Sequence, residues 1–474
     1  MCGSDIILFL SLRQYLDEKM LRFILEHDPV ISGKSILHLT RNNDEKLLNI
    51  IFNEFYNLVE NNIDFKDENG DTALIIACKN NNESIAELLI DHKANVNTEN
   101  ENGYTALLYS YINFNENLMN MLVENNAEIN NINKNGDTPL TFISKHGNDI
   151  ILKKMKENDD KIKSMDIDIN YLNDYGYLDY LIDEGAEICK ENKDGETPLI
   201  VACKYNNEGI VNKLIEIDEE NVGINKKDKN GNTPLCIACE KGNINICKNL
   251  INIDEIEVDQ ENKKGNTPLM IACSNENIEI VECLYKISDI NRKNIFGKTP
   301  LSIAIEKNNE EIINLLLNYN EKSINEENKN ISLLAACRNG NIKIINLLIN
   351  LSADVNVLDN KDNTPLLLLC KYGKKNASSV IKNLCGKDDI VNKKNKNGET
   401  PLIVACKNEN IETIKCLIEN NANLDDKTPL RIAFEKRNKN MINILKKDNT
   451  DLKEFEDIDL SLKVISNNKI LNFL

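Results

Sequence analysis

Tryptophan is absent from this 474-residue chain, and aromatic residues make up only 5% of it. A core resting on large aromatics, or a surface that stacks sugars or bases on aromatic platforms, would need more of them. Histidine is scarce as well, with His27, His38, His92 and His146 as the whole supply. None sits in an HExxH pair or beside a cysteine or serine in a nucleophile pattern, and no phosphate-cradling GxxxxGK(S/T) loop occurs. Positive charge is in deficit: 57 Lys and Arg face 76 Asp and Glu, leaving −19. So acidic a chain is repelled by phosphate backbones, and nucleic acid is not expected as a partner. Long apolar runs are missing too. The opening MCGSDIILFLSLRQYL has an apolar stretch of about seven residues, with no basic leader and no small-residue cleavage site. Nothing approaches the roughly 20 apolar residues of a membrane span, and Gly3 is not placed for myristoylation. These absences point to an intracellular protein, cytoplasmic or nuclear, with its thiols reduced.

What is present repeats. NGDTAL ends at Leu74, NGYTAL at Leu107, NGDTPL at Leu140, DGETPL at Leu199, NGNTPL at Leu235 and KGNTPL at Leu269. FGKTPL, DNTPL, NGETPL and DKTPL follow, ending at Leu301, Leu366, Leu402 and Leu430. The motif threonines are Thr72, Thr105, Thr138, Thr197, Thr233, Thr267, Thr299, Thr364, Thr400 and Thr428, most of them 32 to 36 residues apart. The 65-residue step from Thr299 to Thr364 hides a unit whose motif has drifted to ISLLAAC at 331–337. The 59-residue step from Thr138 to Thr197 is read as holding a truncated unit near 166–190.

The chemistry of the motif explains its form. Asn-Gly or Asp-Gly makes a tight turn, because glycine accepts backbone angles other residues resist. Threonine then caps a helix and proline takes the first helical position, where no N–H is needed. Eight of the nine prolines fill this one slot. Nine of the 19 glycines fill the turn slot before the threonine or its expected equivalent, Ser35. A short helix with a small centre follows, as in TPLIVACK, and is expected to break at Asn81, Gly147, Asn206, Gly242, Gly340 or Gly373. A second helix carries a Leu/Ile stripe, as in ESIAELLIDHKA. One such pair cannot bury its apolar face alone, so neighbours must stack.

These motifs resemble the ankyrin repeat family over roughly residues 35–450. SILHLT at 35–40, KANVN at 93–97 and SADVN at 352–356 match its pattern closely. The family's histidine after Leu survives only as His38. The resemblance implies an all-α repeat solenoid of stacked helix-turn-helix units with β-hairpin-like tips. It also implies a non-enzymatic scaffold or adaptor that binds other proteins along the concave face and tips. A regulatory subunit or substrate receptor is the alternative. The ends scan as caps, 1–34 and 451–474. Asp5 is expected to cap IILFLSLRQ, and Asp459 to cap LSLKVIS. The apolar finish at Leu471, Phe473 and Leu474 is expected to fold back on the last repeat.

Fourteen cysteines raise the question of metal or disulfide. Cys78, Cys203, Cys239, Cys273, Cys337, Cys370 and Cys406 share one repeat position, six residues past the motif, where a thiol packs as a small apolar group. Cys236 and Cys239 form the one CxxC and have no second pair, so no metal and no cofactor are expected.

The tips carry the finer signal. Charge over the seven residues before the motif is −2 at 65–71 and 98–104, but +2 at 226–232, +1 at 260–266 and +3 at 292–298. Lys229, Lys263, Lys264, Lys293 and Lys298 make these tips basic, and Ile295 and Phe296 place apolar side chains on a tip that is polar almost everywhere else. Tyr104 fills another tip, while Tyr205 and Tyr372 fill an exposed first-helix position. Together they are the candidate protein-binding residues. They suit an acidic partner segment with an apolar anchor, bound by a monomer.

Overall fold

The computed structural model describes residues 3–446 apart from 28–30, 60–62, 114, 131, 135, 148–175, 219–222, 319–323, 374–376 and 386–388. It divides into two compact units, Met1–Asn262 and Lys263–Leu474. Among the described residues every regular element is helical and no strand occurs. The expected half-repeat at 451–474, with Asp459 and the apolar finish, lies outside the described residues.

Each repeat opens as its residues dictate. The Thr72 hydroxyl accepts the Ile75 N–H at 3.3 Å and starts the helix Ala73–Lys79; Thr197, Thr233, Thr267, Thr364 and Thr400 do the same for their helices. These first helices have seven or eight residues and are apolar all round. Pro198 through Cys203, for example, are all buried. Isolated helices this short are marginal, so burial holds them. The chain then turns through a left-handed residue: Asn81 (φ 58°), Asn206 (58°), Gly242 (74°) and Gly340 (64°). Glu276, Asn308, Glu409 and Arg437 hold the same column with φ between 53° and 59°, a strain of about 1 kcal/mol for a residue with a Cβ. Gly373 departs, with an extended backbone at φ −65° and ψ 146°.

An asparagine begins most second helices. Asn82, Asn115, Asn243, Asn277, Asn341, Asn410 and Asn438 each accept the N–H three residues on. These helices are amphipathic, with Ile246, Cys247 and Leu250 buried in Ile244–Ile251. Within each compact unit first helix packs on first helix. Ala73–Lys79 lies between Gly33–Arg41 and Ala106–Ile112 in the first unit, and Glu326–Asn339 between Pro300–Lys307 and Pro365–Tyr372 in the second. The cysteine column sits inside this stack. All seven are buried, and burial pushes the Cys78 and Cys406 thiols up to about 12.

Four entries into helices differ from the sequence reading. The first helix starts at Gly3, so Asp5 lies inside its first turn. Ser32, one turn earlier than Ser35, caps Gly33–Arg41, and its hydroxyl accepts the Ser35 N–H at 3.2 Å. Thr428 makes no side-chain cap, and its N–H donates to Asp426 Oδ1 at 2.9 Å. The drifted motif at 331–337 falls within one 14-residue helix, Glu326–Asn339, capped by Asn325.

Another asparagine column ties repeats together, eight residues before the motif threonine. Asn97 Nδ2 donates to Asn126 C=O at 3.0 Å while its Oδ1 accepts Glu128 N–H at 2.8 Å. Asn225 clamps Glu255 and Glu257 in the same way, and Asn392 clamps Asn421 and Asn423. Asn130 clamps Gly185 C=O and Glu187 N–H, both at 2.8 Å. Gly136 C=O accepts Lys193 N–H at 3.1 Å. Residues 166–175 of the truncated unit expected near 166–190 lie outside the described residues, and the described part carries helix Gly176–Asp183.

Candidate functional site

The tips are built on an Asp or Asn five residues before each motif threonine. Asp67 Oδ1 accepts the N–H groups of Asn69 and Asp71, both at 2.8 Å, and Gly70 closes the turn at φ 75°. Asn100, Asn192, Asp228, Asn294, Asp359 and Asn395 each accept the same two N–H groups. One short side chain thus satisfies two donors that a tight turn leaves exposed. At Asp362 the glycine slot holds an aspartate at φ 56°.

Several neighbouring tips join by one backbone bond. Asn69 C=O accepts Glu101 N–H at 2.9 Å, Asp194 C=O accepts Lys229 N–H at 3.0 Å, Lys264 C=O accepts Ile295 N–H at 3.2 Å, and Lys361 C=O accepts Lys396 N–H at 3.1 Å. Side chains reinforce the joint. Asn100 Nδ2 donates to Asp71 at 2.7 Å, Asn294 Nδ2 to Asn266 at 2.8 Å, and Asn395 Nδ2 to Asn363 at 2.9 Å. At the foot of the tip an ion pair spans to the end of the first helix: Asp71–Lys79 at 3.3 Å, Glu196–Lys204 at 2.5 Å and Glu399–Lys407 at 2.6 Å. At Lys298–Glu306 the same pair is reversed, at 2.6 Å.

The candidate cations divide between the compact units. Lys229 belongs to Met1–Asn262, where its Nζ donates to Lys193 C=O, so it serves the joint between tips as well as the surface. Lys263, Lys264, Lys293 and Lys298 belong to Lys263–Leu474. Lys263 and Lys264 are exposed. Lys293 pairs with Glu327, and Arg292 lies 3.7 Å from Asp289. The +3 read over 292–298 is therefore matched by three carboxylates outside that window. Ile295 and Phe296 stand out from this tip, 68% and 67% exposed.

The tyrosines separate. Tyr104 is half-buried, edge-on to Tyr109 at 5.8 Å and to Phe142 at 5.1 Å. It lines a cleft of about 170 Å³ together with Tyr205, whose ring lies 5.6 Å from Lys145 Nζ. The structure thus brings two of the candidate aromatics into one cleft of the first unit. In that cleft burial raises the Asp137 carboxyl above its ordinary range, against the pull of Lys145 and His146. Tyr372 is 50% exposed in the second unit and lines a groove of about 600 Å³ with Lys371, Asn408 and Glu412. Among the described residues no group of three His, Cys, Asp or Glu is placed to hold a metal ion, and no helix is long and apolar enough to cross a membrane.

Three asparagine columns were missed as functional scaffolding in the sequence. Their signal was positional: Asn or Asp recurs at five and eight residues before, and Asn at ten residues after, the motif threonine.

Short capped helix pairs, left-handed links and hydrogen-bonded tips define a helical repeat protein. Family models described as ankyrin repeats match residues 37–133, 169–262, 254–328 and 374–455, and a single ankyrin repeat matches 330–360. The chain belongs to the ankyrin repeat family, whose members are typically non-enzymatic modules for protein–protein interaction. No curated protein matches the chain as a relative.

Proposed function

We propose that this chain is a non-enzymatic scaffold or adaptor that holds a partner protein through its tips, with tip 292–298 as the main anchor. The observation that carries this reading is the exposure of Ile295 and Phe296 at 68% and 67%, at tip positions that are polar in almost every other repeat, Leu424 excepted. An exposed aromatic beside an aliphatic at a rigid turn has the character of an interface hot spot. Lysines around it favour an acidic partner segment, which they steer and orient more than they tighten. Lys293 and Lys298 already have intramolecular carboxylates, so an incoming acid competes with Glu327 and Glu306 for them. Tyr372 in its groove adds to the binding surface of the same unit, and Tyr104 with Tyr205 form a separate candidate contact on the first unit. The protein acts as a monomer without nucleic acid, an array over 35–450 between end caps at 1–34 and 451–474. Cysteines that form no disulfide among the described residues, most of them buried, support an intracellular location, cytoplasmic or nuclear.

Affinity capture from native lysate, with the parent chain and with Phe296→Ala and the triple reversal Lys229→Glu, Lys263→Glu, Lys293→Glu, tests this. A discrete partner lost tenfold or more with Phe296→Ala, and lost with the triple reversal chiefly at low salt, is the expected result. A partner indifferent to both moves the site away from these tips.

A further inference from the structure

The row of tips in the second compact unit has a gap. On one side Lys264 C=O meets Ile295 N–H, and on the other Lys361 C=O meets Lys396 N–H. The repeat between them runs from Asn325 straight into helix Glu326–Asn339 and has no tip. Asn291 Oδ1 still accepts Asn325 N–H at 3.1 Å, so the clamp between repeats is kept while the hairpin is missing. The two flanking tips therefore keep the halves of an unmade rung. Phe296 C=O holds the position that Lys264 and Lys361 use to accept, and Asn360 N–H the position that Ile295 and Lys396 use to donate. Among the described residues neither group has a hydrogen-bond partner.

Space agrees with bonding. A Cβ on Gly265 would meet Ile295 N at 2.7 Å, because the next tip lies against it. A Cβ on Gly297 would meet nothing within 4 Å. The rim is apolar on both sides, with Ile295, Phe296 and, at 42% exposure, Leu358. A second repeat, entered by Thr428–Glu435, also has a shortened approach, and beyond Gly398 too the space is open. That edge carries Lys393, Lys394 and Lys396, the charged blunting that keeps exposed backbone edges from pairing. The edge at Ile295–Phe296 keeps charges at the first two of these positions, Arg292 and Lys293, and differs in carrying Ile295 where the other has Lys396.

We propose that this gap is a docking slot for a turn or extended segment of a partner protein that completes the row of tips. The partner supplies a backbone N–H to Phe296 C=O, a backbone C=O to Asn360 N–H, and an apolar side chain between Ile295, Phe296 and Leu358. The argument is continuity: the slot continues an interface that the chain itself makes on either side, with the same donor and acceptor in the same positions. The proposal rests on the reading of tip 292–298 as the anchor and adds how the segment is held.

The probe is a phage library of cyclic eight-residue peptides selected on the full chain. Asn360→Pro removes the backbone donor, and Asn360→Ala controls for the loss of the side chain. Position 360 follows Asp359 in a turn closed by Asp362 N–H to Asp359 C=O at 2.9 Å, where proline is well accommodated. A second variant replaces 326–331 with the chain's own tip sequence 393–400 and fills the slot. The expected result is binders that lose tenfold or more affinity for Asn360→Pro and for the filled chain. N-methylation at one peptide amide should weaken them equally, and the bound peptide should slow exchange of the Asn360 amide. Binders that need Phe296 yet ignore Asn360→Pro and N-methylation overturn the rung and leave the tip reading standing. A library with no binder sensitive to Phe296→Ala overturns both. Self-association of the full chain that Asn360→Pro abolishes makes the occupant a second copy and overturns the assignment to a partner.

Discussion

The repeat opened by Thr72 and the repeat opened by Asn325 bury the same helical interior and reach it by different routes. Leu74 and Leu333 are each at most 1% exposed, and Cys78 and Cys337 are wholly buried. The first repeat spends its entry residues on a tip held by Asp67, and starts its helix only at Ala73. The other turns those residues into two extra helical turns, with Asn328 buried and bonded to Asn291 at 2.9 Å. The core therefore tolerates either entry, and the tip is separable from the stack. A repeat without its tip keeps the fold and opens a space along the row of tips.

If the interiors are equivalent, Leu74→Ala and Leu333→Ala should cost the same, about 3 kcal/mol each by the usual scale for buried leucine. Chemical denaturation of the full chain, fitted for each compact unit, checks this. A much smaller loss at Leu333 would mean that the long helix is looser than its burial suggests. The entries themselves should differ. Thr72→Ala and Asn325→Ala each remove a working cap and should cost about 1 kcal/mol. Ile331→Thr, which restores the motif letter in the tipless repeat, should gain nothing, because position 331 is already mid-helix. Thermal unfolding of the three variants separates these outcomes.

The smallest effect concerns acid. Burial alone would raise the Asp359 carboxyl, but hydrogen bonds from Asn363, Lys361 and Arg338 hold it below its ordinary value. A carboxylate lowered in the folded state stabilises above its unfolded pKa of about 4, and that contribution is lost as pH falls through the folded value. Asp359→Asn keeps the turn acceptor, as Asn395 does in its own tip, and removes the charge. Its melting temperature should lie slightly below the parent's at pH 6, by an amount typical of an exposed ion pair, and the difference should close below pH 3. A difference that persists in acid would assign the loss to the turn instead of the charge.

Much of the architecture was legible because its signals are local. Threonine, proline and glycine act within four residues of where they stand, so their columns named the helices and turns directly. The cysteine column was legible as packing for the same reason. The exceptions share a cause. At Ser35 and Thr428 a neighbouring residue captured the cap, and at 331–337 the helix began two turns earlier, which the motif letters alone do not encode. The asparagine clamps escaped notice because Asn97 and Asn130 act on residues about 30 and 55 positions away, and because asparagine is common throughout the chain. Ile295 and Phe296 stood out in the sequence as an apolar break in a polar column. The pairing of Lys293 with Glu327 did not, since Glu327 comes from a repeat that lacks the motif.

Amide hydrogen exchange on the free, full-length chain tests the central claim, a hydrogen-bonded row of tips interrupted at 326–331. The Ile295 and Lys396 amides should be protected by their bonds to Lys264 and Lys361, while the Asn360 amide exchanges at the rate of an open chain. Equal protection at Lys396 and Asn360 would show that the row is already complete, and would contradict both the gap and the slot drawn from it.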